Sequence, residues 1–88
     1  VITVYTQPGC APCKRVIEVL RGNLTEGDEF KVVDITEDRE AREYVVEGLG
    51  AKSTPVIESD YDGGNPIIGF GTPDDRLRLL YFIDEESN

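Results

Sequence analysis

Val1-Ile2-Thr3-Val4-Tyr5-Thr6-Gln7-Pro8-Gly9-Cys10-Ala11-Pro12-Cys13 decides how this chain is read. Val1 to Tyr5 is β-branched and aromatic and reads as a strand. Gln7-Pro8-Gly9 is a turn. Pro12 suits the first turn of a helix, where a missing N–H costs little. The next apolar positions, Cys13, Val16, Ile17 and Leu20, follow at i, i+3, i+4 and i+7 and form one buried stripe. Cys10 and Cys13 are the only 2 cysteines in 88 residues. Thiols at i and i+3 share a helix face and can bridge. Such a pair closes and reopens, carrying two electrons with no further cofactor.

The helix is expected from Ala11 to Arg21, with Gly22-Asn23 as its stop and Thr25 to Asp28 as a loop. Phe30 to Ile35 reads as a second strand. Thr36 is the expected cap of a second helix, Asp38 to Glu47, whose inward stripe is Ala41, Tyr44, Val45 and Gly48. After a connection from Gly48 to Thr54, Pro55 to Glu58 reads as a third strand. The turn cluster Tyr61-Asp62-Gly63-Gly64-Asn65 makes Pro66 to Gly69 its hairpin partner. Thr72-Pro73-Asp74-Asp75 starts the last helix: a Thr cap, a first-turn proline, and carboxylates at the positive end of the dipole. That helix is expected to run to Phe82 with Leu77, Leu80 and Tyr81 inward. Asp84 to Asn88 is expected to be a frayed acidic tail. The order β-α-β-α-β-β-α suits a single domain over residues 1–88. Joining the first two strands through a helix requires a right-handed crossover. It puts the Cys10 loop at one end of the sheet.

Nine Lys and Arg face 18 Asp and Glu, for a net charge of −9. Such a surface repels phosphate backbones and anionic lipid, which disfavours nucleic-acid and membrane partners. No apolar run approaches the roughly 20 residues needed to span a bilayer. The start lacks a basic region and a long apolar core, so no export signal is expected. A cytoplasmic location follows as an expectation, and there a cycling disulfide is more plausible than a permanent one. With 0 His, the commonest general base and metal ligand is missing.

Cys10 falls at a helix N-terminus, where free N–H groups and the dipole favour an anion. Such surroundings bring a cysteine pKa from about 8.5 into the range of roughly 3.5–7.5. Lys14 and Arg15 add positive charge. Cys13, on the inward stripe, should be buried. Cys10 is therefore the expected nucleophile and Cys13 the resolving thiol. Two other uses of the pair fit less well. As a staple, so short a loop would contribute only about 2 kcal/mol. Zinc wants four ligands, and two cysteines without histidine supply half of them. Pro55, in Thr54-Pro55-Val56-Ile57, could be cis and leave backbone free to pair with a peptide. On the residues alone, an ordinary trans proline at a strand start is the simpler reading. Phe70, in Gly69-Phe70-Gly71-Thr72, is either core or an exposed docking aromatic.

Together Val4-Tyr5-Thr6, Cys10-Ala11-Pro12-Cys13, Thr54-Pro55-Val56, Gly69-Phe70 and Pro73-Asp74 resemble the glutaredoxin family, over nearly the whole chain. Asp34-Ile35-Thr36 and Glu40 to Val45 are similar to its NrdH-type redoxins. The resemblance implies an α/β thioredoxin fold with a four-stranded mixed sheet and three helices. It implies that Pro55 is cis and that Ala11, Pro12, Thr54, Pro55, Gly69 and Phe70 line a substrate groove. It implies a dithiol–disulfide oxidoreductase, recharged by thioredoxin reductase and delivering electrons to ribonucleotide reductase for deoxyribonucleotide synthesis; for so small a carrier a monomer is the default expectation. Glutathione-using relatives carry Lys or Arg where this chain has Gln7, and Gly-Gly where it has Gly69-Phe70-Gly71-Thr72-Pro73 before its acidic pair. Losing one charge-assisted hydrogen bond costs about 1.5–3 kcal/mol, so glutathione should bind poorly. The alternatives are a glutaredoxin served by glutathione or another small thiol, and a non-catalytic interaction module on the same fold.

Overall fold

The computed structural model describes residues 1–60 and 65–87. The elements are β1 (Ile2–Thr6), α1 (Ala11–Asn23), β2 (Phe30–Asp34), α2 (Arg39–Glu43) running into a π-helical turn (Tyr44–Gly48), β3 (Val56–Ser59), β4 (Ile67–Ile68) and α3 (Pro73–Ser87). The expected order holds, and the fold is thioredoxin-like. The turn cluster expected at Tyr61 to Asn65 lies, but for Asn65, outside the described residues.

The sheet order is β2-β1-β3-β4. β1 is central, parallel to β2 and antiparallel to β3, and β3 pairs antiparallel with β4. Side chains alternate across the sheet because the strand period is two. Ile2 and Val4 therefore join Phe30, Ile57 and Ile67 in the core beneath α1 and α3. Tyr5 and Val56 turn to the other face and meet Ile35, Val45 and Ala51 under the α2 side. The pairs Val4 with Ile57 and Tyr5 with Val56 fix the register. A one-residue slip would exchange the two faces wholesale.

Four expectations are corrected: the cap of α2, its inward stripe, the face of α3 and the frayed tail. On the α2 side Tyr44 and Gly48 are exposed, and Val45 is the buried member of the expected stripe. Asp38, not Thr36, caps α2: its Oδ1 accepts the Ala41 N–H at 3.0 Å. Thr36 instead donates its N–H and hydroxyl to Asp34 Oδ1 at 2.8 and 2.6 Å, closing a turn after β2. The inward face of α3 is Leu79, Phe82 and Ile83, while Leu77, Leu80 and Tyr81 are 65%, 48% and 63% exposed. Both stripes have i, i+3, i+4 spacing, so periodicity does not choose between them. Helix length does. α3 continues to Ser87, and the acidic residues after Phe82 extend it rather than fray. Phe82 and Ile83 then sit well inside the helix and complete the stripe that meets the sheet.

Candidate active site

Gly9, at φ +78°, turns the chain from the end of β1 into α1, a conformation glycine takes without a Cβ penalty. Cys10 is the N-cap, with extended backbone at φ −92° and ψ 101°. Its Sγ accepts the Cys13 N–H at 3.2 Å, and its carbonyl accepts the Lys14 N–H at 3.3 Å. The first turn of α1 thus closes on the sulfur. Pro12, in that turn, forfeits no helical bond. Cys13 points inward and is 1% exposed, packed on the same side of α1 as Val16 and Leu20. Cys10 is half-buried. The two are joined as a disulfide with Cα atoms 5.2 Å apart. Lys14 and Arg15 are exposed beside it.

The loop before β3 comes to the same place. The Thr54–Pro55 bond is cis. That overturns the simpler reading of the residues and agrees with what the family resemblance implies. The Thr54 carbonyl oxygen lies 3.6 Å from Cys10 Sγ, across 44 residues of sequence. Gly69 donates its N–H to the Pro55 carbonyl at 2.8 Å and adopts φ +84°, again a left-handed conformation suited to glycine. Cys10, Cys13, Thr54, Pro55 and Gly69 are therefore one cluster. Ala11 is exposed at the helix tip. Phe70 resolves its two readings jointly: it is half-buried against the core and lines a groove with Arg15 and Val19.

Sequence reasoning missed two features. A groove of about 320 Å³ beside Thr54 is lined by Gln7, Arg42 and Lys52 over an apolar floor of Ile35, Val45 and Ala51. Its parts come from four separate stretches, which only the folded topology brings together. The second is a carboxylate shared by two tyrosines. Tyr5 donates its hydroxyl to Glu58 Oε1 at 3.0 Å, and Tyr44 donates to Glu58 Oε2. The rings lie 5.9 Å apart at 52°. Tyr5 and Glu58 both sit on the α2 face because of the β1–β3 register.

Burial, then the Glu58 carboxylate, pushes the Tyr5 phenol far above its ordinary value of 10. The hydrogen bond to Glu58, then burial, raises Tyr44. A raised folded value means the neutral phenols contribute stability that is complete below pH 10. That contribution is lost as pH rises further, because the unfolded chain ionises first. Melting temperature is expected to fall from about pH 10 upward, and less steeply in the Tyr5→Phe, Tyr44→Phe double variant. An unchanged alkaline slope in that variant would remove the two phenols from the account.

The glutaredoxin family model matches residues 2–62. The gene 56 protein of Mycobacterium phage D29 is 48% identical over 87 residues, covering 98% of this chain and 90% of the relative. Among solved structures, a thioredoxin-like protein superposes with a TM-score of 0.69 at 32% identity, covering 91% of this chain and 100% of the other. NrdH-redoxin from Escherichia coli superposes at 0.65 with 22% identity, covering 86% and 91%, a likeness of fold.

Proposed function

The chain belongs to the glutaredoxin family, and from that premise we propose that it is an NrdH-type carrier, taking electrons from thioredoxin reductase to a protein disulfide, that of ribonucleotide reductase. The observation that carries the dithiol chemistry is the Cys13 N–H aimed at Cys10 Sγ at the start of α1. In the reduced protein the two neighbours of that sulfur act oppositely. The N–H favours the thiolate, and the Thr54 carbonyl favours the protonated thiol. The N–H is nearer, at 3.2 against 3.6 Å, and the helix terminus reinforces it. The thiolate wins.

The cycle balances as follows. Cys10 thiolate attacks one sulfur of the substrate disulfide, forming a mixed disulfide and expelling the other sulfur as thiolate. Cys13, deprotonated as it reacts, attacks Cys10 Sγ and releases the second substrate thiolate. Two electrons have passed to the substrate, and the Cys10–Cys13 disulfide remains. NADPH, through the reductase, restores the dithiol. Pro55 and Gly69 bound the approach to Cys10, and main-chain groups of the Thr54 stretch pair with an extended substrate. Gln7, in place of a cation, supports a protein rather than glutathione as partner. One observation favours a small thiol: Arg42 and Lys52 in the groove beside Thr54 could hold a carboxylate. NADPH oxidation coupled through thioredoxin reductase, compared with glutathione and its reductase, separates the two. Turnover with glutathione alone would overturn the carrier reading.

Alkylation checks the thiolate itself. A free thiol of pKa about 8.5 is roughly 0.03% ionised at pH 5. A held thiolate is less nucleophilic per anion, but its population more than compensates. Iodoacetamide at pH 5 should modify reduced Cys10 at least about threefold faster than free cysteine and leave Cys13 untouched. Equal rates for Cys10 and free cysteine would contradict the held anion.

A further inference from the structure

α1 and α3 enclose a groove of about 610 Å³ on the flank of the molecule. Val19, Phe70, Pro73, Leu77 and Leu80 make it mainly apolar, and Arg15 and Arg76 line it from the two helices. α3 already commits Leu79, Phe82 and Ile83 to the core. Its outer stripe, Leu77, Leu80 and Tyr81, has no covering element among the described residues. A stripe of that width on a surface helix is ordinarily the one turned inward.

The charge is as informative as the apolar lining. The chain carries 18 acidic residues against nine basic ones, yet among the described residues the groove's lining holds two arginines and no acidic residue; the Asp75 carboxylate stands at its rim, where Oδ2 accepts the Gly71 and Thr72 N–H groups. Arg21 is paired with Glu26 at 2.9 Å and Arg39 with Glu43 at 3.4 Å. Neither Arg15 nor Arg76 has an ion-pair partner among the described residues. Two uncommitted guanidiniums over an apolar floor form a positive island on an acidic molecule. A nucleic acid would meet the net charge of −9 everywhere around that island. In a two-fold pair of this chain the same patch faces itself, setting arginines against arginines. The complement is a carboxylate beside an apolar side chain.

We propose that this groove docks an extended acidic and apolar segment of a partner protein, with Leu or Phe side chains seated against Phe70, Leu77 and Leu80 and carboxylates paired to Arg15 and Arg76. The proposal rests on the carrier reading above and adds the chemistry of the partner's docking segment. Neither cysteine lines the groove, but its walls continue along the chain from the site: Arg15 follows Cys13 by two residues on α1, and Phe70 follows Gly69, which is bonded to Pro55. A segment held there keeps the partner's cysteines beside Cys10.

The test is titration of the isotope-labelled full chain, followed by NMR, with end-blocked, cysteine-free hexapeptides. Each holds two Glu with Leu and Phe, in every order. Comparators carry Lys for Glu, or Gly for the apolar residues. At least one acidic peptide should saturate, with shifts confined to the α1–α3 groove. Arg76→Glu and Leu80→Glu, each at an exposed position that leaves the fold intact, should weaken it by about tenfold or more. The Cys10→Ser protein should bind the same peptide equally, so failure of the redox reading and failure of docking remain distinguishable. The proposal is overturned if no acidic peptide binds, if the lysine set binds as well, or if shifts fall elsewhere. Concentration-dependent dimerisation that Leu80→Glu abolishes would also overturn it.

Discussion

Cys10→Ser is expected to reduce disulfide reductase activity to background, a loss of roughly a thousandfold or more. The hydroxyl is a far weaker nucleophile than a thiolate, and no second group can replace it. Cys13 is 1% exposed and lies under the first turn of α1. It reaches Cys10, not a substrate. The complementary variant, Cys13→Ser, keeps the attacking sulfur and loses the resolving one. It should accumulate the mixed disulfide, detectable as a mass adduct that dithiothreitol removes. Surviving reductase activity in Cys10→Ser would show that Cys10 is not the attacking sulfur and would falsify the carrier reading, whereas a native chain that reduces no disulfide would be a binding module on a thioredoxin-like fold.

The second large effect concerns stability. Leu79→Ala removes a side chain that is 1% exposed in the core shared by α1, α3 and the sheet. The lost transfer energy and the cavity left behind together cost about 2–5 kcal/mol. A chain of this size has a total stability of roughly 4–13 kcal/mol, at about 0.05–0.15 kcal/mol per residue. The melting temperature should fall on the order of 10–30 °C. Leu77→Ala, two residues away and 65% exposed, should change stability by no more than about 0.5 kcal/mol. Equal losses at the two positions would mean that α3 is rotated from the orientation described.

That contrast marks where sequence reasoning stops. The nucleophile side of the site was legible because its parts are local: Gly9, Cys10, Pro12 and Cys13 occupy one turn, and capping and helix-face rules apply within it. The first strand and α1 were legible for the same reason. The face of α3 was not, because two stripes of equal period compete and the end of the helix decides between them. The cap of α2 was placed two residues early, since both Thr36 and Asp38 can accept an N–H and only the turn after Asp34 settles which one does. The cis bond before Pro55 was readable from family resemblance but not from the chemistry of Thr54-Pro55 itself. Long-range pairings were invisible throughout. Glu58 meets Tyr5 across 53 residues only because β3 lies antiparallel beside β1 in one particular register.

The shared carboxylate also gives the molecule an optical signature. The chain has 4 tyrosines and 0 tryptophans, so its ultraviolet emission is phenolic and unmasked by indole. Hydrogen bonding to a carboxylate quenches phenol fluorescence, and Tyr5 and Tyr44 are both bonded to Glu58. Loosening of the α2 side should therefore brighten the native protein, without any label, while the helix that carries the sulfurs stays in place.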